Sequence, residues 1–284
     1  MDHPDPRLDA ARVFYACLAA AGGGQLRERL EHAFEIVPRE HFLGPGPWCA
    51  VSPAGYVRTP DADPIHVYQN ALFALDRSRG INNGEPTLHG QLLGALAPER
   101  GDRAIHVGCG TGYYTAILGL LVLPAGRVTA YEIEADLAEK ARQCLAPWDN
   151  VEVIVGSGSE RELGEAEAIY VSAGATRPAK VWLDALVEGG RLVMPLVGDG
   201  GWGVSLLVVR QGDQFDVRVI TRSAFIDCAG VNEPTEGKAV TAAVRSGRLF
   251  QARTLHRDAS PDDTAVLAGD GWWLSSRPIG GKQV

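Results

Sequence analysis

The residues best suited to chemistry lie in one stretch, Val107-Gly108-Cys109-Gly110-Thr111-Gly112-Tyr113, and Glu132 stands 20 residues after Gly112. Glycines let a backbone turn sharply and let a ligand approach it, while the start of a helix offers unpaired N–H groups. The spacing is GxGxG, not the GxGxxG of dinucleotide binders, whose third glycine packs helix to strand. Glu132 closes the strand Val128-Thr129-Ala130-Tyr131, and a carboxylate there can accept hydrogen bonds from both ribose hydroxyls of a nucleoside. The pair favours a nucleoside-containing methyl donor over a dinucleotide, with a fold that has lost its ligand as the third reading. No Lys-Ser/Thr follows the loop, which excludes a P-loop nucleotidase.

These residues need a frame, and the pattern around them supplies one. From residue 103 strands alternate with helices. Ala104–Val107, Arg127–Tyr131, Val151–Val155, Ala168–Ser172 and Arg191–Pro195 read as strands. Tyr113–Leu123, Ala135–Leu145 and Lys180–Val187 read as helices. Such alternation implies parallel βαβ units in an open sheet. Ser205–Arg210 and Phe215–Thr221, on either side of Gln211-Gly212-Asp213-Gln214, read as a hairpin at the sheet edge. The expected fold is α/β, a doubly wound, seven-stranded, mostly parallel Rossmann-like sheet with N-terminal helices and a C-terminal extension.

Before that region, residues 7–21 and 25–37 read as helices, the second with Leu26, Leu30, Ala33, Phe34 and Val37 at helical spacing. Residues 44–64 are rich in Pro and Gly and read as a surface connection. Val67–Leu75 is mostly apolar, Asp76 to Pro86 is a polar turn segment, and 87–97 is helical. After Cys228 the signals weaken to a helix over Gly237–Ser246 and a strand over Gly271–Ser275. The organisation expected is 1–86 as a helical segment with a substrate-facing loop, 87–227 as the cofactor-binding domain, and 228–284 as an extension.

Composition narrows the function classes. The chain has 284 residues, 45% hydrophobic, enough for a sizeable core. No apolar stretch reaches the 18 or so residues of a membrane span. The opening Met1-Asp2-His3-Pro4-Asp5-Pro6 has neither the basic start nor the apolar core of a signal peptide. The five cysteines (Cys17, Cys49, Cys109, Cys144, Cys228) are scattered without a CxxC pair, which suggests neither a disulfide framework nor a metal site. A cytoplasmic protein is expected. A net charge of −8 without basic runs disfavours nucleic acid as a partner.

Three motifs then carry a resemblance. Leu30–Leu43, Leu-Glu-His-Ala-Phe-Glu-Ile-Val-Pro-Arg-Glu-His-Phe-Leu, is similar to the "AF..VPRE.F" helix of protein-L-isoaspartate O-methyltransferases. Gly108–Tyr113 matches that family's cofactor motif, and Glu188-Gly189-Gly190-Arg191-Leu192-Val193-Met194-Pro195 matches its "GGRLV.P" strand. The resemblance covers roughly residues 25–225. It implies methyl transfer from S-adenosylmethionine to a carboxylate of a protein or peptide. It also implies cofactor contacts at His106, Gly108, Cys109, Gly110, Gly112, Glu132, Ile133, Ser157 and Gly158.

The sequence departs from the family at three places. The family's Ile-Ser-x-Pro element, whose serine lies beside the reacting carboxylate, is Gly80-Ile81-Asn82-Asn83-Gly84-Glu85-Pro86 here. This Asn-Asn-Gly-x-Pro form resembles that of divergent relatives that modify peptides. The family's Gly-Asp-Gly is Gly156-Ser157-Gly158, and its acidic residue two positions before the glycine loop is His106.

A carboxylate is already ionised at neutral pH and can attack a sulfonium methyl directly, so the enzyme chiefly aligns and desolvates. Amides of Asn82 or Asn83 can hold the attacking oxygen; the competing reading is a plain turn, since Asn and Gly tolerate positive φ. His89 would be the base for an alcohol, phenol or amine substrate, against a role in capping or packing. His106 is expected at the methionine end of the cofactor, Cys109 as a small residue in a tight turn rather than a thiolate, and Trp272-Trp273 as buried. The expected function is a carboxyl O-methyltransferase acting on an aspartyl or isoaspartyl group. A small-molecule methyltransferase and a cofactor-binding protein without methyl transfer are the alternatives.

Overall fold

The computed structural model describes residues 5–258 and 260–280. Residues 1–4, on which part of the signal-peptide reading rests, and 281–284 of the extension lie outside these. In chain order the elements are α1 (Pro6–Ala19), α2 (Arg27–Ile36), β1 (Cys49–Ser52), β2 (Gly55–Arg58), β3 (Ala74–Asp76), β4 (Ile81–Asn82) and α3 (Pro86–Leu96). Then come β5 (Arg103–Val107), α4 (Tyr113–Val122), β6 (Arg127–Glu132), α5 (Ala135–Leu145), β7 (Val151–Val155), β8 (Ala166–Val171) and α6 (Lys180–Ala185). The chain continues with β9 (Leu186–Val197), β10 (Trp202–Gln211), β11 (Gln214–Ala224), α7 (Pro234–Arg245), β12 (Thr254–His256), β13 (Ala265–Gly269) and β14 (Trp272–Ser275). No helix among the described residues is long and apolar enough to cross a membrane.

The chain forms two compact units: residues up to Gly101 with Cys109–Gly156, and Asp102–Gly108 with Ser157 onward. These do not follow the divisions expected at residues 86 and 227.

In the first unit α1 starts at Pro6, with the Asp5 side chain accepting from the Arg7 amide, an N-cap that satisfies one orphan donor. α2 buries Leu30, Ala33 and Phe34; full burial of Leu30 or Phe34 contributes about 1.5–3 kcal/mol. The turn after α2 explains the Val-Pro-Arg-Glu motif. Arg39 is fully buried, donating from Nη1 to the carbonyls of Val67 (2.6 Å) and Gln69 (2.7 Å) and from Nη2 to that of Ala71 (2.6 Å). Its guanidinium lies over the rings of Tyr15 and Phe73, 5.4 and 5.2 Å from their centroids. Glu40, half-buried at the same junction, accepts from Arg12 at 2.6 Å. The apolar run from Val67 is thereby pinned to the N-terminal helices.

β6 and β7 pair in parallel from Val128↔Val151 to Glu132↔Val155. α5 covers them with Leu137, Ala138, Ala141 and Leu145 inward, spacing i, i+1, i+4, i+8. Two hairpins differ from expectation: β1–β2 falls within the connection 44–64, and β3–β4 within the region read as apolar run and turn. Both are short, and β2 is exposed along its whole length, so neither displays the alternation of a half-buried strand.

In the second unit the strand order is β13-β14-β12-β11-β10-β9-β8-β5. β5, β8 and β9 run parallel. Ala104, Ile105, His106 and Val107 are all buried, as expected of a strand covered on both faces. β9 begins at Leu186, earlier than the expected Arg191, because Leu186 pairs with Ala166 before the register shifts. The two glycines of the motif serve that irregularity: Gly189 has φ +72°, and a Cβ on Gly190 would stand 2.8 Å from the Val187 carbonyl.

The β10–β11 hairpin is the expected one, longer at both ends, closed by Gly212-Asp213 with Gln211 opposite Gln214. The seven expected strands are β5 to β11. The extension adds the firm helix α7 and three further antiparallel strands, β12, β14 and β13, of which only β14 was legible. Trp272 and Trp273 are buried, their indole N–H groups donating to Glu236 (3.1 Å) and Asp258 (3.0 Å).

Candidate active site

The first unit holds the glycine loop from Cys109 and the acidic tip of β6. Gly110 and Gly112 have φ of +57° and +96°, which L side chains rarely adopt. A Cβ on Gly112 would also stand 2.6 Å from Leu145. The Cys109 amide donates to the Tyr131 carbonyl (3.1 Å) and the Gly112 amide back to the Cys109 carbonyl (2.9 Å). Thr111 Oγ1 donates to the Phe42 carbonyl at 2.6 Å, tying the loop to the end of the Val-Pro-Arg-Glu segment. Burial, with Glu132 close by, pushes the Cys109 thiol far above its ordinary pKa. A thiol so buried favours its protonated form.

Glu132 is buried. Its Oε2 accepts from the Gly110 amide at 2.7 Å and its Oε1 from the Glu134 amide at 3.0 Å. Burial raises its pKa, and the amides of Glu134, Gly110 and Ile133 pull the other way. A carboxylate has about four acceptor positions, so each oxygen keeps capacity for a further donor. Beside it in sequence Ile133 is an apolar side chain left 48% exposed. The donor set fits a nucleoside: an ionisable carboxylate with acceptor capacity for two hydroxyls, at a loop whose glycines leave the backbone approachable.

The Asn-Asn-Gly loop leaves β4 in the same unit, and the two asparagines differ. Asn82 Oδ1 accepts from the Gly84 amide (3.0 Å), a local turn bond. Asn83 exchanges bonds with Phe73: its amide donates to the Phe73 carbonyl (2.9 Å) and its Oδ1 accepts from the Phe73 amide (2.8 Å). Asn83 is buried, and its Nδ2 has no hydrogen-bond partner among the described residues. Buried donors of that kind call for an explanation.

His89 on α3 is buried and stacked on Tyr114 of α4, centroids 3.6 Å apart and planes within 1°. On its other side a Cβ on Gly84, whose φ is +77°, would stand 2.2 Å from His89 Nε2. Its ring is therefore held by packing under the loop. Tyr113 is buried in the core, its hydroxyl 2.9 Å from that of Tyr15 and its ring against Phe34 and Phe42.

The second unit holds the remaining expected residues. His106 is buried, its Nε2 2.9 Å from Ser172 Oγ and its ring beside Tyr170. Burial pushes its pKa down to about 3, so it is neutral at working pH and suited to hydrogen bonding rather than to carrying charge. Gly108 has φ +76°. Ser157 Oγ lies 3.0 Å from Ser159 Oγ, and Ser159 Oγ donates to the Ala229 carbonyl at 2.7 Å. The Gly158 carbonyl accepts from Trp182 Nε1 at 2.8 Å. In the first unit the glycine loop meets the tip of β6, through the Cys109 amide on the Tyr131 carbonyl and the Gly110 amide on Glu132. The structure places Asn82, Asn83 and His89 in one loop-and-helix segment.

Sequence reasoning missed Thr111, although it sits inside the glycine motif. It also missed Arg79, which joins the two segments and whose only sequence signal was a cation in a turn.

The family model for protein-L-isoaspartate(D-aspartate) O-methyltransferase matches residues 21–233. The protein-L-isoaspartate O-methyltransferase of Ignicoccus hospitalis is 32% identical over 204 residues, 70% of this chain and 88% of that one. That of Aeropyrum pernix is 39% identical over 130 residues, 43% of this chain; there the match spans only half of the relative's length. A solved protein-L-isoaspartate O-methyltransferase structure superposes with a TM-score of 0.64 over 83% of this chain and 69% of the other, at 20% identity, a likeness of fold. The three motifs and the glycine loop with its carboxylate agree with these matches: the chain belongs to the protein-L-isoaspartate(D-aspartate) O-methyltransferase family.

Proposed function

We propose that this protein transfers a methyl group from S-adenosylmethionine to the carboxylate of an aspartyl or isoaspartyl residue in a protein or peptide. The reading is carried by the presence in the first unit of both Glu132, a buried carboxylate with spare acceptor capacity, and Asn83, a buried amide with a spare donor. Bound S-adenosylmethionine supplies an electrophilic sulfonium methyl. Glu132 accepts the ribose hydroxyls, Ile133 covers the base, and Gly108, Cys109, Gly110 and Gly112 give the backbone its close approach. In the second unit, considered by itself, His106, Ser157 and Gly158 are the residues assigned to the cofactor on the family resemblance alone.

The acceptor arrives ionised, and Asn83 Nδ2 donates to one of its oxygens while Asn82 shapes the turn. His89 walls the loop and removes no proton, in keeping with an acceptor that carries none. The reaction belongs in the cytoplasm with a protein or peptide partner; the net charge of −8 argues against nucleic acid.

The test is a methyl-transfer assay with labelled S-adenosylmethionine on an isoaspartyl peptide and its aspartyl twin. Base-labile label on either supports carboxyl methylation. Label on neither, with cofactor binding intact, moves the acceptor to another class. Asn83→Ala is expected to lower turnover roughly 10–100-fold with cofactor affinity kept, on the scale of one lost oriented donor, and Asn82→Ala to act more weakly. Equal effects would return the loop to a plain turn.

A further inference from the structure

The turn Asp76-Arg77-Ser78-Arg79-Gly80 joins β3 to β4 and leads into the acceptor loop. Asp76 fixes it: Oδ1 accepts from the amide and hydroxyl of Ser78 (2.8 and 2.6 Å) and from the Arg79 amide (3.2 Å). Arg79 then reaches out of the turn. Its Nε donates to Asp76 Oδ2 (2.8 Å), its Nη1 to Glu134 Oε2 (2.5 Å) and Asp136 Oδ1 (3.1 Å), and its Nη2 to Asp136 Oδ2 (2.7 Å). Glu134 and Asp136 stand at the start of α5, 55 and 57 residues away in sequence.

Both ends of this bridge lead to a functional group. Behind Glu134, its own amide donates to Glu132 Oε1. Behind Arg79, Ile81 lies opposite Asp76 and Asn82 opposite Ala74 in the β3–β4 pair, and Asn83 is locked to Phe73. An isolated exposed ion pair contributes little, because two flexible side chains are ordered for a screened attraction. Here the geometry differs. The guanidinium is already oriented by its own turn, it grips Asp136 through two parallel bonds, and its side chain is 33% exposed. Remove the cation, and three carboxylates face one another across the contact, which repels the turn from α5.

We propose that Arg79 is a positioning residue that links the methyl-donor site at Glu132 to the acceptor loop at Asn82 and Asn83, so that filling the first orders the second. This rests on the function proposed above. A donor site coupled to its acceptor loop in this way favours binding of the methyl donor before the acceptor, since the loop is best ordered once Glu132 is engaged.

The test uses the full chain and S-adenosylhomocysteine as the probe, with calorimetry for affinity and hydrogen exchange for the loop. In the wild type, S-adenosylhomocysteine is expected to slow exchange at the amides of residues 80–84. In Arg79→Met that protection is lost and Kd rises about tenfold, within the usual range of coupling between sites, while exchange in the β10–β11 hairpin, the control for folding, stays unchanged. Arg79→Lys keeps the charge but not the fork and falls between the two. Asp136→Asn adds less than about twofold in the Arg79→Met background, as members of one network are not additive. Equal loop protection in wild type and Arg79→Met, or none in a wild type that binds the probe, overturns the link and leaves the proposed function standing. A wild type that does not bind S-adenosylhomocysteine overturns the proposed donor site and the link with it.

Discussion

Among the described residues each unit buries one glutamate, and the two are used differently. Glu236 on α7 has three donors, the Asp270 amide (3.0 Å) and Trp272 Nε1 (3.1 Å) at Oε1 and Arg177 Nε (2.7 Å) at Oε2. The Thr176 hydroxyl, which also faces the Val231 carbonyl at 3.1 Å, stands 3.4 Å from Oε2. Both Glu236 oxygens are engaged by groups of the fold and its charge is matched by a cation. Glu132 is equally buried, with one amide bond to each oxygen and burial driving its pKa up. A carboxylate whose charge is matched by a cation within the fold holds the fold together. One left with capacity, at a site where desolvation penalises its charge, is built for a ligand that restores what burial removed.

The largest effect expected from this contrast is at Glu236. Glu236→Ala strands the partly buried Arg177 and the Trp272 N–H, and should cost about 3 kcal/mol of stability in urea unfolding with S-adenosylhomocysteine affinity unchanged. Glu132→Ala should show the reverse, losing roughly 1–3 kcal/mol of binding free energy by calorimetry and less stability than the first variant. Matching losses in both quantities for both variants would erase the distinction.

A pH series sharpens it further. Because the folded pKa of Glu132 lies above the ordinary 4.5, its ionised form opposes folding, and this penalty appears as pH rises through the window between the two values. Ligand hydroxyls favour the ionised form, so affinity should fall as pH drops toward 4.5, and Glu132→Gln should flatten that dependence.

The smallest effect concerns His106. Its folded pKa of about 3 lies below the ordinary 6.5, so its stabilisation is complete above 6.5 and is lost as pH falls toward 3. Between pH 7 and 5.5 this amounts to ~1 kcal/mol, and His106→Gln should remove that part of the acid slope.

Much of this was legible in the sequence where local chemistry decides the outcome. α5 matches its expected bounds because its apolar residues recur at helical spacing, and Gly212-Asp213 announced its hairpin. The glycine loop and Glu132 were visible as residue types at a spacing. The strands β1 to β4, β12 and β13 were not, being short and lacking period-2 alternation. Arg79 and Glu236 were missed for a different reason. Their roles come from partners 55 to 59 residues away, and nothing in a charged residue's neighbours tells which distant group it will meet. The Asn82–Asn83 pair shows the limit most sharply: two identical side chains in sequence, one spent on a turn and one left with an unused donor.

The Arg39 clamp has a consequence under acid stress. Its described partners are three carbonyl oxygens and two aromatic faces, so its charge is balanced by dipoles that no proton can neutralise. Contacts built on carboxylates weaken as acid protonates them; this one keeps its full strength. The junction between the N-terminal helices and residues 67–71 should therefore be among the last tertiary contacts to loosen as the molecule is acidified, a residual foothold from which the acceptor loop can be rebuilt when neutrality returns.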